Sequence, residues 1–174
     1  NSRNDVGDYK DCVIPIANPG HLMIQAQYKT AGAMMAIAAR TELVQTYNFP
    51  PLVWEYLVTG EIPSISMIFD IDEVYKTSIT SLMEATKSDM TEEEFASRFK
   101  MKFVGIDSTG KEVPLTQRGK TESVTMSNCG LYISLANNFR LNEMKNNLEA
   151  MRKGLWENFN FEPTPSLDAS TLEF

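Results

Sequence analysis

The sequence lacks the features that mark membrane and nucleic-acid-binding proteins. No apolar run approaches the ~20 residues of a membrane-spanning helix, and the first residues, NSRNDVGDYKD, show no signal-peptide pattern of basic then apolar residues. Acidic residues outnumber basic ones by 23 to 16, which gives a net charge of −7. The one small basic cluster is Arg118–Lys120. Because nucleic-acid binding needs a basic surface to neutralise phosphates, we expect neither a nucleic-acid nor a membrane partner.

Cysteine and histidine are also scarce. Cys12 and Cys129 have no disulfide-framework spacing, and His21 is the only histidine. This usage favours a reducing compartment, so we predict a cytoplasmic or nuclear protein. Cys129 lies at a predicted helix N-terminus, which favours a thiolate, but a thiol enzyme would also need a histidine within hydrogen-bond reach. We therefore predict a partly buried structural thiol at Cys129, no catalytic residue, no metal site and no cofactor.

The sequence does contain a strong signal for a helical scaffold. Alanine, methionine and isoleucine fill residues 31–39 except at Gly32, which predicts a helix over residues 21–40 with nearly every face covered. Glycine within a helix costs about 1 kcal/mol relative to alanine, so Gly32 indicates that another backbone passes close by. Pro50 and Pro51 suit the start of a second helix that ends near Val58.

The later part of the chain mixes helix with a short hairpin. Acidic residues favour a helix start near Asp72, and Thr91 with Glu94 forms a capping box. Alternating apolar residues and a Gly-containing turn indicate two short strands. The predicted elements are a linker at 60–66, a third helix to about Thr86, a short acidic helix from Thr91, a strand over Phe99–Ile106, a turn at 107–110, a returning strand over Glu112–Leu115, and helix through most of 128–159.

These elements predict an α+β fold that is mainly α-helical. A helical body would carry a small helix–β-hairpin insert at about residues 64–115. A stripe of Leu141, Met144, Leu148, Met151 and Leu155 is predicted to face the core of the body. Pro163 and Pro165 would end that helix. One element that leaves a helical body and returns to it suggests a subdomain built for contact with another molecule.

The order of several short motifs resembles a known family. YxxxGxxMxxAxR begins at Tyr28 and FPPLVWxxL at Phe49; VTxxNxxxYxxL begins at Val124, followed by RLNE, AMRKGLWENF and a terminal LEF. Each motif is weak alone, but their shared order and spacing, over about Val13–Phe174, resemble the larger, N-terminal lobe of HECT-type ubiquitin ligases. The chain is thus expected to be a partial HECT N-lobe.

The resemblance implies a function in ubiquitin transfer. Members of this family accept ubiquitin from a ubiquitin-conjugating enzyme onto a cysteine, then pass it to a lysine of a protein substrate. The implied partners are therefore the conjugating enzyme, ubiquitin and the substrate. Residues 64–115, with the helix start near 128–136, would form the subdomain that binds the conjugating enzyme. The implied groove residues are Tyr75, Ile79, Leu82, Met101 and Tyr132.

Other interpretations of the same residues stay open. Apolar residues at helical spacing, such as Tyr75, Ile79 and Leu82, more often form a core than an interface. Tyr75 also stands where leucine is common in the family, and Ala85 and Ala136 stand where larger residues are common, which predicts a shallower pocket. The acidic run at 89–94 would be a solvated helix start or would steer a basic partner. The alternative function is a non-catalytic helical interaction scaffold.

The resemblance also implies boundaries. The family's transferring cysteine lies in a smaller lobe that follows the LEF segment, and further helices precede the segment matched here. This chain alone is therefore expected to be inactive in transfer. Apolar surface is expected to be exposed around the first helix and Val13–Ile16, where the upstream helices would pack.

Overall fold

A computed structural model describes residues 7–15, 22–43, 45–107 and 110–159. Within these ranges the fold is α+β and mainly helical, as predicted, with a single two-stranded antiparallel sheet. None of the described helices is long and apolar enough to cross a membrane. The elements are α1 Leu22–Arg40, α2 Pro51–Thr59, α3 Ile65–Ile71, α4 Glu73–Ala85, α5 Glu92–Arg98, β1 Val104–Ile106, β2 Glu112–Pro114, α6 Cys129–Glu143 and α7 Lys145–Phe159.

The first hydrophobic core joins α1, α2, α3 and α7. A Cβ placed on Gly32 of α1 would lie 1.9 Å from the carbonyl oxygen of Met151 in α7. Reciprocally, a Cβ on Gly154 would lie 1.8 Å from the carbonyl oxygen of Lys29. The two helix backbones therefore touch, and the close approach predicted from Gly32 is confirmed. The predicted stripe faces this core: Met144, Leu148, Met151 and Leu155 are buried and Leu141 is half-buried.

Helix α2 supplies six buried residues of this core. Pro51 occupies its first turn, as predicted, because a proline there removes no intrahelical hydrogen bond. Gly60 ends it in the left-handed conformation, with φ of 73°. The buried indole of Trp156 on α7 donates a hydrogen bond to the Leu57 carbonyl at 2.7 Å. This bond satisfies a carbonyl in the last turn of α2 and fixes α7 against it.

A second hydrophobic core joins α4, α5, the hairpin region and the first half of α6. Phe95 of α5 and Phe103 before β1 are fully buried in it. The predicted capping box is present: the Glu94 N–H donates to the Thr91 hydroxyl at 3.3 Å, and the Thr91 N–H donates to the Glu94 carboxylate at 2.8 Å. In the hairpin, Gly105 pairs with Val113.

Two predicted boundaries are wrong. The predicted linker at 60–66 extends too far, because residues 65 and 66 already belong to helix α3, whose Ile68 and Ile71 are buried in the first core. Residues 99–103 are not strand, since the pairing outside the hairpin is an isolated bridge from Lys102 to Ser123. The prediction of helix through most of 128–159 is confirmed, with one interruption at Met144 between α6 and α7. The predicted stop at Pro163 and Pro165 lies outside the described residues.

One face of α1 is exposed, which contradicts the prediction that nearly every face is covered. Met23, Met34 and Ile37 are each more than half exposed. Val13 is also exposed, whereas Ile14 packs against the first core. The prediction of exposed apolar side chains around α1 is confirmed for these residues. Its assigned cause, an upstream segment that covers them, stays a prediction.

Candidate partner-binding cleft

A cleft of about 790 Å³ opens between α4, the hairpin and α6. All three elements contribute residues that line the cleft. The five predicted site residues all line this cleft: Tyr75, Ile79, Leu82, Met101 and Tyr132. The structure therefore brings together residues that lie as far apart in sequence as positions 75 and 132.

The floor of the cleft belongs to the second core. Ile79 and Leu82 are almost fully buried, and Tyr132 is 7% exposed. The Tyr132 ring meets the Phe103 ring edge-on, with centroids 5.7 Å apart. Burial raises the pKa of the Tyr132 hydroxyl above its ordinary value of 10.0. The core interpretation and the groove interpretation are thus compatible for these residues. Each side chain packs against the second core on one side and lines the cleft on the other.

Tyr75 forms a wall and is fixed on several sides. Its hydroxyl donates a hydrogen bond to the Asn137 side-chain oxygen at 2.7 Å. Its ring lies 5.0 Å from the guanidinium carbon of Arg140 and 6.0 Å from the centre of the Phe69 ring. The Asp72 carboxylate caps α4 by accepting a bond from the Tyr75 N–H at 2.9 Å. Burial is the main cause that raises the pKa of the Tyr75 hydroxyl.

The accessible apolar surface of the cleft lies at its edge. We call its two exposed apolar residues, Val74 and Ile106, the lips of the cleft. Val74 on α4 and Ile106 at the end of β1 line the cleft and are each 54% exposed. Met101 is half-buried, and its carbonyl accepts a hydrogen bond from the Val124 N–H at 3.0 Å. Val74 and Ile106 were not among the residues predicted from sequence. The signal that could have found Ile106 was its place as a large apolar residue directly before the predicted turn.

The hairpin and α6 meet at a tight contact beside the cleft. A Cβ on Gly105 would lie 2.8 Å from the Phe139 ring. Gly105 thereby lets this ring pack on the strand backbone, and both residues line the cleft. Ala136 also lines it, whereas Ala85 is buried in the second core and does not.

The charges around the cleft are mixed. Exposed lysines Lys100, Lys102 and Lys120 line the hairpin side, together with the exposed Glu112. The acidic first turn of α5, Glu92–Glu94, does not line the cleft. The acidic run at 89–94 can still be either a solvated helix start or a steering charge for a basic partner. Steering needs no contact with the cleft, because it acts at a distance.

The two thiols are placed for structure. Cys129 is fully buried, and burial raises the pKa of its thiol above the ordinary value of 9.0. Cys12 is half-buried, its thiol lies 3.5 Å from the Asn48 side-chain oxygen, and burial and Asp11 raise its pKa. His21 lies outside the described residues. These settings do not activate either thiol, which argues against the small thiol enzyme considered from sequence.

Residues at four other family-matched positions hold the framework. The Asn128 side chain accepts a bond from the Thr125 N–H at 2.7 Å and donates one to the Ser123 carbonyl at 3.1 Å. Asn128 thus holds the adjoining loop and makes no side-chain cap on α6. Arg40 donates to the Asn158 carbonyl at 3.1 Å. Trp54 is buried in the first core, and Arg140 lines the cleft.

A second, apolar cavity of about 250 Å³ lies between the ends of α1 and α7 and the chain that approaches α2. Tyr47, Trp54 and Phe159 contribute aromatic walls. None of the predicted binding residues lines this cavity, so it gives no support to the predicted site.

Comparison with known proteins agrees with the motif order. The profile of the HECT-domain (ubiquitin-transferase) family matches residues 5–174. The chain is 29% identical over 158 residues to E3 ubiquitin-protein ligase HERC2 of Homo sapiens and 28% identical over 158 residues to that of Mus musculus. Each of these alignments covers 89% of this chain, which spans about 3% of the length of either relative. Since the family match extends over nearly all of its residues, the chain belongs to the HECT-domain (ubiquitin-transferase) family.

Proposed function

We propose that this chain is part of a HECT ubiquitin ligase and that its cleft binds a ubiquitin-conjugating enzyme. Two observations support the proposal. The chain belongs to the HECT-domain family, whose description and matched relatives name ubiquitin transfer. The five residues that the family resemblance implied for this contact line one accessible cleft, and this convergence is the observation that carries the proposal.

The shape of the cleft suits a small, reversible contact. A floor of buried apolar side chains with accessible lips can take one apolar or aromatic anchor from a partner loop, and such an anchor can dominate a small interface. Interfaces that bury less than about 1,200 Å² are typical of weak and transient encounters. A ligase must release the conjugating enzyme after transfer, so a weak contact is appropriate.

The proposed chemistry is two successive acyl transfers. A ligase thiolate attacks the carbonyl carbon of the thioester that links ubiquitin to the conjugating enzyme. A new C–S bond forms, and the thiolate of the conjugating enzyme leaves. A substrate lysine amine then attacks the new thioester, an isopeptide bond forms, the amine proton passes to solvent, and the ligase thiolate leaves.

The accepting cysteine is proposed to lie in a smaller lobe outside these residues. Cys129 is fully buried, and the pKa of the Cys12 thiol is raised, so neither is a suitable nucleophile. Within the proposed division of labour, this chain supplies the docking surface and the other lobe supplies the nucleophile. The chain alone should therefore bind conjugating enzymes without accepting ubiquitin.

The test uses the lips of the cleft, because changes there should leave the fold intact. Val74→Glu and Ile106→Glu each place a charge on an exposed position that lines the cleft. Met83→Glu is the matched control: Met83 is an apolar residue of α4, 42% exposed, that does not line the cleft. Affinity for a panel of purified ubiquitin-conjugating enzymes would be measured by calorimetry, with folding checked by circular dichroism.

We expect the two lip variants to weaken binding of the best panel member by about tenfold or more, which is about 1.4 kcal/mol. The Met83→Glu chain should bind like the unaltered one. Binding that both lip variants leave unchanged would contradict the assignment of the cleft. If no conjugating enzyme in the panel binds the unaltered chain, the docking function itself is wrong.

We also propose a cytoplasmic or nuclear location. Both cysteines are free in the described structure, as expected for a reducing compartment. Fractionation of cells that express the tagged parent protein would test this location, and recovery in a secreted or luminal fraction would contradict it.

A further inference from the structure

A buried group of charges lies where the chain crosses between the two cores. Asp72 is the single residue between α3, which packs in the first core, and α4, which packs in the second. Arg140 and Glu143 lie in the last turn of α6, which begins in the second core and ends beside the first. The group therefore links the point where the chain passes from the first core to the second with the point where it passes back.

The geometry centres on Arg140. Its guanidinium lies 2.9 Å from the Glu143 carboxylate and 4.0 Å from the Asp72 carboxylate. The three side chains are 13%, 6% and 5% exposed for Arg140, Glu143 and Asp72 respectively. Ion pairs removed from water to this degree are strongly sensitive to the loss of one partner. Two carboxylates beside a single guanidinium hold that group in place.

Arg140 in turn covers a wall of the cleft. Its guanidinium carbon lies 5.0 Å from the centre of the Tyr75 ring, which is cation–π distance. Asp72 also accepts the Tyr75 N–H, and Asn137, one turn before Arg140 on α6, accepts the Tyr75 hydroxyl. The same network thus holds both the backbone and the ring of Tyr75.

We propose that Arg140 is a positioning residue for partner binding: it holds the Tyr75 ring as a wall of the cleft and fixes α4 against α6. This inference rests on the proposed function, since it concerns the same cleft. A planar guanidinium can stack on a ring and bind two carboxylates at once, whereas a lysine ammonium is a compact point charge. Arg140→Lys therefore keeps the charge that Asp72 and Glu143 need but removes the planar cover from Tyr75.

The experiment is a double-mutant cycle with four chains: unaltered, Arg140→Lys, Tyr75→Ala and the double variant. Each is titrated with the conjugating enzyme that binds the unaltered chain most tightly in the panel. The free energy of unfolding of all four is measured in urea, which separates affinity from stability. Lys145→Arg, an exchange of the same two residue types at the start of α7 away from the cleft, is the control.

We expect Arg140→Lys to weaken binding about fivefold when Tyr75 is present and less than twofold in the Tyr75→Ala chain. An equal loss in both backgrounds would mean that Arg140 touches the partner directly and would overturn the positioning role. A loss of stability without a loss of affinity would overturn it too. Unchanged affinity in Arg140→Lys, while Val74→Glu and Ile106→Glu still weaken binding, would refute this inference and leave the proposed function standing.

Discussion

The contact between α1 and α7 leads to a sharp prediction for Gly32→Ala. The new Cβ would lie 1.9 Å from the Met151 carbonyl oxygen and 2.8 Å from the Leu155 backbone nitrogen. Both obstacles are backbone atoms of α7, so a rotamer change cannot relieve the overlap. Restoring ordinary contact would require the helices to separate by about 1.5 Å, and gaps of about 1 Å already forfeit up to half of a dispersion contact.

The magnitude follows from two opposed effects. Alanine is favoured over glycine within a helix by about 1 kcal/mol, which would stabilise the variant. Overpacking typically costs about 1–3 kcal/mol, and the cost is larger where backbone must move. We take about 3 kcal/mol or more for this overlap, so the net loss is about 2 kcal/mol or more. For a chain of this size, that loss lowers the melting temperature by about 4–8 °C.

The matched control is Gly130→Ala in the first turn of α6. Nothing lies within 4 Å of a Cβ at Gly130, so this exchange should be neutral or stabilise by about 0.5 kcal/mol. Urea unfolding of both variants, followed by circular dichroism, measures the difference. A Gly32→Ala chain as stable as the unaltered protein would refute the backbone contact between α1 and α7.

Two further predictions concern the second core. Thr91→Ala removes the capping box of α5 and should lower the free energy of unfolding in urea by about 1 kcal/mol. The control Thr77→Ala, on the exposed face of α4, should lower it little. Equal losses of stability in the two variants would contradict the cap. Burial raises the pKa of both thiols, but Cys129 is fully buried and Cys12 is half-buried, so access to the reagent should separate their rates. Iodoacetamide should therefore label Cys129 about tenfold more slowly than Cys12 in the folded chain, as read by mass spectrometry, and equal rates would show that Cys129 is accessible.

Features with a local cause were predictable from sequence. The capping box depends on two side chains three residues apart, and the α2 start depends on Pro50 and Pro51. Gly32 was informative because a glycine among strong helix formers indicates a steric demand. Each of these signals is complete within one turn of the chain, so no knowledge of the packing was needed.

Features that depend on packing were not predictable. Helix α3 has no side-chain cap at Ser64, and its seven residues form a helix because Ile68 and Ile71 enter the first core. Conversely, Phe99–Phe103 alternates like a strand, but its backbone pairs with residues 122–124 only at isolated points. Helical spacing placed Tyr75, Ile79 and Leu82 on one side of a helix, but only the family resemblance implied that these three, with Met101 and Tyr132, line a groove. Val74, Ile106 and Arg140 also line the cleft and were not predicted to do so, because the lining depends on how the hairpin and α6 lie against α4.

The division between floor and lips bears on how partners would be distinguished. Ile79 and Leu82 form part of the floor and are almost fully buried in the second core. Substitutions there would therefore destabilise the fold before they changed partner binding. Val74 and Ile106 are free of that constraint, since each is about half exposed. A cleft built in this way can keep a constant apolar floor for an anchor while its lips vary. Under the proposed function, discrimination among conjugating enzymes should therefore depend on the lips.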